Sequence, residues 1–407
     1  NRSSVVAASC GNNFSVVAFS GGFVTSCGEN ETGQLGIGLQ EDRMELPTVI
    51  PDLNGVAVKA ISCGHDHTLL LTTEGAIFAW GERCSGQLGI DIEEVYRPQR
   101  ISALEEYRVV EIAAGASHSL AIVEGGDLFT FGSNIKGQLG IGFASYVDDE
   151  EGRAIPHRAL VPEGARLKKC AGGGLHSLAL TEEGVVLGWG CNSFGQAGLG
   201  DQMEFYSPSP VLVEQTTDEG ESGLSLTFTA ISCGFSHSAI LRSDGAILCF
   251  GRAQGRVQPS TSQGMDNLTK ATELKGFRFE GPGVDVKCGP DFTLVVNSRE
   301  GCAYAWGTPK AGTLGIVPRD ATQVAEHGEW KPGKIQQPHP RNMLQSVCVG
   351  HTARHVLFIF SHRLVWEFER ILWVGLVKGD DRCLFRMLPQ ERPRYCALLH
   401  HIISLVR

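Results

Sequence analysis

The chain has 407 residues, of which 42% are hydrophobic and 20% are charged, as in a folded globular protein. The formal net charge is −10 and no cluster of Lys and Arg stands out, so direct nucleic-acid binding is disfavoured. No uninterrupted apolar stretch of 18 residues and no secretory signal is visible, so we expect no membrane span and a cytoplasmic or nuclear location.

One short motif recurs seven times along the chain, each time around a glycine. In chain order its copies read SCGNNFSVVAF, SCGHDHTLLLT, AAGASHSLAIV, GGGLHSLALT, SCGFSHSAIL, KCGPDFTLVV and VGHTARHVLF. The glycines that anchor the copies are Gly11, Gly64, Gly115, Gly173, Gly234, Gly289 and Gly350. Their spacings of 53, 51, 58, 61, 55 and 61 residues indicate a repeat architecture over nearly the whole chain.

A second motif follows the first by about 17 residues. It reads TSCGENETGQLG, FAWGERCSGQLG, FTFGSNIKGQLG, LGWGCNSFGQAG and YAWGTPKAGTLG, decays to CFGRAQGRV in the fifth copy and is reduced to VWEFE in the seventh. One position of this motif is aromatic in copies two to seven: Trp80, Phe131, Trp189, Phe250, Trp306 and Trp366. Such side chains bury about 150–250 Å² each, so we expect them between packed sheets.

The strand pattern of one repeat predicts the fold. In the second copy, strands are expected at Ala57–Cys63, Thr68–Thr72 and Ala76–Trp80, and an extended segment such as Pro47–Leu53 follows a GQLG turn. Four short strands per repeat make one propeller blade. We therefore predict an all-β, seven-bladed β-propeller over residues 1–368.

Two segments depart from the repeat. The polar connection Gln254–Glu280 replaces the missing turn of copy five and is expected to be either functional or disordered. In the tail, residues 369–407, ERILWVGLVKGDD and CALLHHIISLVR have apolar residues at helical spacing, which predicts two amphipathic helices. These helices either pack on the propeller or dock a partner, for example through an F-box-like helix at MLPQE.

The two motifs together resemble the repeat of the regulator-of-chromosome-condensation (RCC1) family. The combined pattern xCGxxHSLALTxxGxVxxWGxNxxGQLG is nearly complete in Ile61–Gly89, and the resemblance covers about residues 5–367. It implies a seven-bladed propeller. The founding member is an exchange factor for the small GTPase Ran, whose engagement is helped by acidic residues before the repeated His. Asp66 in GHDH, beside His65, and Asp291 in GPDF stand at such positions.

The repeated histidines are expected to be structural. His67, His118, His176 and His237 share a position that Phe14, Phe292 and Ala353 occupy in other copies, so a buried hydrogen bond explains them better than a metal. The serines that follow three of them, Ser119, Ser177 and Ser238, should point to the opposite sheet face, which disfavours a catalytic dyad. The GQLGIG sequences recur between strands and predict turns rather than phosphate loops.

The cysteines are expected to be reduced and structural. There are 13, with no C-x-x-C pair, and Cys10, Cys63, Cys233 and Cys288 directly precede repeated glycines. No catalytic residue, metal or cofactor is therefore predicted.

The sequence favours a non-enzymatic scaffold that binds a partner protein through loops on one propeller face, with His65, Asp66 and Asp291 as candidate contacts. One alternative is a guanine-nucleotide exchange factor for a Ran-like small GTPase. Against it, there is no basic N-terminal arm, and most equivalent loops carry no acid (Asn13, Ser117, Leu175, Ser236). Another alternative is the substrate-recognition part of a ubiquitin-ligase complex. The sequence does not determine the oligomeric state.

Overall fold

The computed structural model describes residues 4–91, 93, 95–145, 154–214, 227–252, 267–279, 283–307, 333–334, 342–348, 356–362 and 372–375. Within these residues the chain forms antiparallel sheets whose strands follow one another in sequence order. None of the helices in this part of the chain is long and apolar enough to cross a membrane.

Six sheets have four strands, and we call them blades one to six. Blade one contains β1 (Val5–Cys10), β2 (Phe14–Phe19), β3 (Phe23–Glu29) and β4 (Arg43–Val49), followed by the 3₁₀ helix Pro51–Leu53. Blade two contains β5 (Val58–Cys63), β6 (His67–Thr72), β7 (Ile77–Gly81) and β8 (Gln99–Arg100), followed by the 3₁₀ helix Ser102–Leu104. Blade three contains β9 (Val109–Ala114), β10 (His118–Val123), β11 (Leu128–Gly132) and β12 (His157–Arg158).

The second half of the chain repeats this arrangement. Blade four contains β13 (Leu167–Gly172), β14 (His176–Thr181), β15 (Val186–Gly190) and β16 (Phe205–Pro210). Blade five contains β17 (Phe228–Cys233), β18 (His237–Arg242), β19 (Ala246–Gly251) and β20 (Leu268–Arg278). Blade six contains β21 (Val284–Cys288), β22 (Phe292–Asn297), β23 (Cys302–Gly307) and β24 (Gly333–Lys334). A last sheet contains β25 (Asn342–Cys348), β26 (Val356–His362) and β27 (Leu372–Gly375).

The prediction of seven blades is wrong. The described residues form six four-stranded blades, and the last sheet, which lies beside β1 and β23, has three strands. The seven anchoring glycines follow the first strand of each repeat and carry no information about a fourth strand. Gly350, Ala353 and Trp366, which belong to the seventh copy, lie outside the described residues.

The predicted helical tail is also corrected. Leu372–Gly375 is a strand that pairs with β26, and no α-helix occurs in the part of the chain that the structure describes. A short apolar run such as LWVG fits a strand or a helix equally well by periodicity, so spacing alone misassigned it. The second predicted helix, CALLHHIISLVR, lies outside the described residues. The domain boundary between residues 368 and 369 stays a prediction.

The second strand of each blade is almost completely buried. In β6, β10, β14, β18 and β22 all six residues are buried. This burial requires apolar or hydrogen-bonded side chains on both sheet faces, because each face packs against a neighbouring blade. The strands predicted in the second copy are confirmed to within one residue at each end.

The first strands surround the axis of the ring. Contacts run from β1 to β5, β9, β13, β17 and β21 in turn, and the second strand of a blade lies against the first strand of the next blade. The fourth strands are therefore on the outside.

Blade five completes itself within the predicted polar connection. Leu268–Arg278 forms the fourth strand although the GQLG turn is missing. A buried guanidinium, that of Arg242, binds Asp244 at 2.8 Å and Glu273 of this strand at 3.1 Å. Hydrogen bonding to Arg242 lowers the pKa of Asp244 to about 2. An ion-pair cluster thus attaches the outer strand of this blade.

Candidate protein-binding face

Two sets of loops lie at one end of the ring. His67, which begins β6, pairs with Gly81, which ends β7, so the loop before the second strand and the loop after the third strand share one end of each blade. The other blades have the same register, for example His118 with Gly132. We call this end of the ring the loop face.

Backbone hydrogen bonds connect the inner loops of this face from blade to blade. The Asn12 N–H donates to the His65 carbonyl at 3.1 Å, the His65 N–H to Ala116 at 3.1 Å and the Ala116 N–H to Gly173 at 3.0 Å. The Gly174 N–H then donates to Phe235 at 3.2 Å. These bonds join blades one to five and hold the loops in fixed positions, which lowers the entropy lost when a partner binds.

In the six copies that the structure describes, the repeated glycine leaves space for an aromatic ring. A Cβ atom on Gly64, Gly115, Gly173 or Gly234 would overlap the imidazole three residues later, and on Gly11 or Gly289 it would overlap a phenyl ring. These glycines do not have positive φ, so ring packing rather than backbone conformation requires them. The G-x-x-H and G-x-x-F patterns therefore have the same cause: the ring of the fourth residue occupies the space where a Cβ of the first would lie.

Each repeated histidine bonds to the next blade. His67 Nε2 lies 3.0 Å from Ser119 Oγ, and His118 and His176 make the same contact at 2.9 Å with Ser177 and Ser238. His237 uses Thr293 Oγ1 at 3.0 Å. The expectation of a buried structural hydrogen bond is confirmed, and the bond crosses between blades rather than staying within one turn.

The GQLG turn completes this network. Ser119 Oγ donates to the Gln87 carbonyl at 2.7 Å, and Ser177 and Ser238 donate to the Gln138 and Gln196 carbonyls at 2.9 and 2.8 Å. Because the single serine proton is used in this way, the histidine Nε2 carries a hydrogen and donates to the serine. The serines point away from the histidine of their own blade, as predicted, but they meet the histidine of the preceding blade.

The imidazoles of His118 and His237 are neutral near pH 7. Burial lowers the pKa of His118 to about 3, with a smaller contribution from His67, and burial lowers the pKa of His237 to about 4. The four histidines occupy four different inter-blade interfaces. Among the described residues no group of three or more His, Cys, Asp or Glu side chains is placed to hold a metal ion.

The repeated cysteines are buried as well. Cys10, Cys63, Cys233 and Cys288 are at most 4% exposed. Burial raises the pKa of Cys288 to about 12, so its thiol stays protonated and unreactive. Their role as small buried residues is therefore supported.

The aromatic position of the second motif is buried wherever the structure describes it. Trp80 and Trp189 are completely buried, and each indole N–H donates to the glutamine carbonyl of the preceding blade, at 3.0 Å from Gln34 and 2.9 Å from Gln138. Trp306 lies in blade six, and the preceding blade five lacks the GQLG turn that would supply the carbonyl. The buried Nε1 of Trp306 has no hydrogen-bond partner. The lost turn thus leaves one interface without its acceptor.

We expect Trp80→Phe to cost about 2 kcal/mol of unfolding free energy, since it removes ring volume and a buried hydrogen bond. Trp306→Phe should cost well under half as much, because it also removes an indole N–H without an acceptor. Urea unfolding of the two variants, measured by circular dichroism, tests this difference. Equal losses would show that the missing carbonyl has no energetic consequence.

The candidate contact residues all lie on the loop face. His65 and Asp66 form the tip of the loop before β6, where His65 Nδ1 lies 2.5 Å from Asp66 Oδ2. Their side chains are 44% and 26% exposed. Asp291 occupies the equivalent loop before β22, in blade six. The structure keeps this residue apart from the other two, so the three do not form one cluster.

Sequence analysis missed the apolar part of this face. Phe235, in the GFSH loop, is 46% exposed. On the next loop outward, the Arg252 guanidinium lies 4.8 Å from the centre of the Phe194 ring. The available signal was a phenylalanine at a loop position where the other described copies have Asn, His, Ala, Gly or Pro.

The radial four-stranded sheets, the central first strands and the loop face define the class of this protein, a β-propeller. A family model of the RCC1-like domain matches residues 1–358. The chain belongs to this RCC1-like domain family.

Relatives include the human probable E3 ubiquitin-protein ligase HERC6, 33% identical over 324 residues, which are 78% of this chain and 29% of HERC6. The ultraviolet-B receptor UVR8 of Arabidopsis thaliana is 31% identical over 324 residues, 77% of this chain and 67% of UVR8. The chain thus spans about three-tenths of HERC6 and two-thirds of UVR8.

Two solved structures have the same fold. Human WBSCR16 superposes with a TM-score of 0.69 at 22% identity, covering 86% of both chains. Prp20p from Saccharomyces cerevisiae, described for its binding to Gsp1p and histones, superposes with a TM-score of 0.67 at 23% identity, covering 85% of this chain and 80% of Prp20p. At this identity the likeness establishes the fold alone.

Proposed function

We propose that this propeller is a non-catalytic interaction protein that binds a partner protein through its loop face, in the cytoplasm or nucleus. The inter-blade network carries the proposal. Its imidazoles and hydroxyls are buried and bonded to each other, so among the described residues the repeated polar groups serve the scaffold. What the repeats present to solvent is a set of loops that differ from blade to blade on a fixed frame.

Within this proposal, His65, Asp66 and Asp291 are contact residues. The short His65–Asp66 contact orients the Asp66 carboxylate before a partner arrives. Asp291 offers a second carboxylate from blade six. Carboxylates held in this way favour a specific orientation of the partner more than they add affinity.

Photo-crosslinking tests the choice of face. We expect a photoreactive amino acid at Asp66 or Asp291 to crosslink a defined partner in cell extract. The same group at Glu74 or Glu182, in exposed hairpin loops at the opposite end of blades two and four, should give none of that product. Equal crosslinking from both ends, or from the opposite end alone, would refute the proposal.

Nucleotide exchange on a small GTPase is a more specific function. It is favoured by the position of Asp66 and Asp291 on the same face of the propeller. An exchange factor needs only to bind the nucleotide-free GTPase more tightly than the loaded one. Release of a fluorescent nucleotide from a panel of small GTPases, with Asp66→Ala as the variant, tests this function. No acceleration for any member would remove it.

Substrate recognition for a ubiquitin ligase is favoured by the likeness to HERC6. Because this chain spans about three-tenths of that ligase, the propeller would present a substrate to catalytic parts elsewhere in a larger protein. Ubiquitin attachment to the crosslinked partner should then depend on the presence of this chain in cells. A partner whose ubiquitylation is unchanged would argue for a scaffold of another kind.

A further inference from the structure

One sector of the loop face is apolar. Phe235 lies close to Gly174, where an added Cβ would be 3.1 Å from Phe235 Cδ2. Leu175, the next residue, is half-buried in the same loop. Phe235 is nevertheless 46% exposed, so a large part of its ring has no cover.

A second aromatic residue extends this sector. The Arg252 guanidinium lies over the Phe194 ring, and its backbone N–H donates to the Ser236 carbonyl at 2.8 Å, which places the Arg252 backbone beside the residue that follows Phe235. A guanidinium over an aromatic face can still donate hydrogen bonds from its N–H groups. We call Leu175, Phe194, Phe235 and Arg252 the aromatic notch.

The opposite part of the loop face is acidic. Blades one and two pack directly on each other, and the last sheet lies between blades one and six. These three blades contribute the carboxylates of the acidic arc: Glu29, Glu31, Asp66, Glu82 and Asp291. In the described residues of the same loops the basic side chains are Arg83, Arg97, which pairs with Asp52 at 2.9 Å, and His65, which contacts Asp66. The loops of blade three contain Lys136, which pairs with Glu204 at 2.6 Å. The loop face is therefore divided into the acidic arc and the aromatic notch.

We propose that the loop face binds a basic protein segment that carries one apolar anchor residue, with the anchor in the aromatic notch and the Lys or Arg side chains along the acidic arc. This inference rests on the proposed function and adds the chemistry of the partner. A partly exposed aromatic ring beside a stacked arginine is the type of group that dominates binding energy at protein interfaces. The carboxylates select the charge of the partner and speed its approach.

Charge also separates this partner from a nucleic acid. Aromatic rings and an arginine can stack on bases, but five carboxylates on the same face repel a phosphate backbone. A basic peptide with an apolar residue can contact both the acidic arc and the aromatic notch. An oligonucleotide can make favourable contacts only with the aromatic notch.

Selection from a displayed library of random 16-residue peptides, with the intact chain as bait, tests the inference. We expect the selected sequences to be enriched in Lys and Arg around one aliphatic or aromatic residue. Phe235→Ser should weaken the best peptide about tenfold or more, as for an anchor contact. Val185→Ser, at a residue 43% exposed at the opposite end of blade four, is the matched control and should change nothing.

Two triple variants test whether the carboxylates of the acidic arc contribute to peptide binding. Glu29→Gln, Asp66→Asn and Glu82→Gln together should weaken binding and flatten its dependence on salt. The matched triple, Glu74→Gln, Glu124→Gln and Glu182→Gln, should not. Circular dichroism and thermal melts of every variant establish that the fold is kept.

The outcomes separate this inference from the proposed function. Selected peptides that are acidic or uncharged but still depend on the loop face would overturn the basic partner and leave the face as a protein-binding site. A single-stranded oligonucleotide that competes with the best peptide more strongly than unlabelled peptide does would overturn the choice of a protein ligand. Peptides that bind equally to all loop-face variants would refute both.

Discussion

We expect the free energy of unfolding to fall by about 2 kcal/mol for each of His118 and His237 as the pH is lowered from 7 to 4.5. Both side chains are buried, and burial lowers their pKa to about 3 and about 4, against an ordinary value of 6.5. At a pH between the folded and unfolded pKa values, these histidines are protonated in the unfolded chain but neutral in the folded chain. Stability is thus fully present above pH 6.5 and is lost as the pH falls towards the folded pKa, by up to about 1.4 kcal/mol per pH unit and residue.

Urea unfolding at a series of pH values measures this loss. His118→Phe is the informative variant, since Phe14 and Phe292 fill the same position in blades one and six. It should reduce the acid sensitivity by about half of the combined effect, and His118→Phe with His237→Phe should remove most of it. Carboxylates that titrate near pH 4.5 contribute equally to all variants and cancel in the difference. A variant with the pH dependence of the native chain would disprove the account.

We expect Gly115→Ala to destabilise the protein by about 3 kcal/mol. The added methyl group would occupy the space of the His118 ring, which is fixed by its bond to Ser177 across the blade interface. Neither the ring nor the neighbouring blade can move without breaking other contacts, so the cost is that of an overpacked core. The midpoint of urea unfolding, with the slope checked for two-state behaviour, is the measurement.

Two further variants identify the cause. Gly164→Ala, at a residue with φ of +79° and no atom within 4 Å of the added Cβ, reports the cost of backbone conformation alone, about 1 kcal/mol. Gly115→Ala combined with His118→Ala should be less destabilised than the sum of the single variants, because the clash is removed. If the losses of stability of the two single variants add up in the double variant, a clash with the His118 ring is not the cause of the strain.

The sequence by itself determined the repeat, its strands and its buried positions. Paired motifs at a period near 55 residues identify strands such as those of blade two, because glycine turns and apolar runs act locally and need no partner blade. They also predicted that Trp80, Trp189 and Trp306 are buried. The prediction from periodicity was wrong at the end of the chain, where the described residues form a three-stranded sheet instead of a seventh blade and Leu372–Gly375 is a strand rather than a helix.

Only the tertiary structure decided which residues work together. Ser119 and His67 are 52 residues apart and belong to different blades, so no local pattern shows that they share a hydrogen bond. The same holds for Phe194 and Arg252, and for the carboxylates that blades six, one and two place on one face. Residues from separate repeats become neighbours through the closing of the ring, and the division of the loop face into acidic and apolar parts exists only once it has closed.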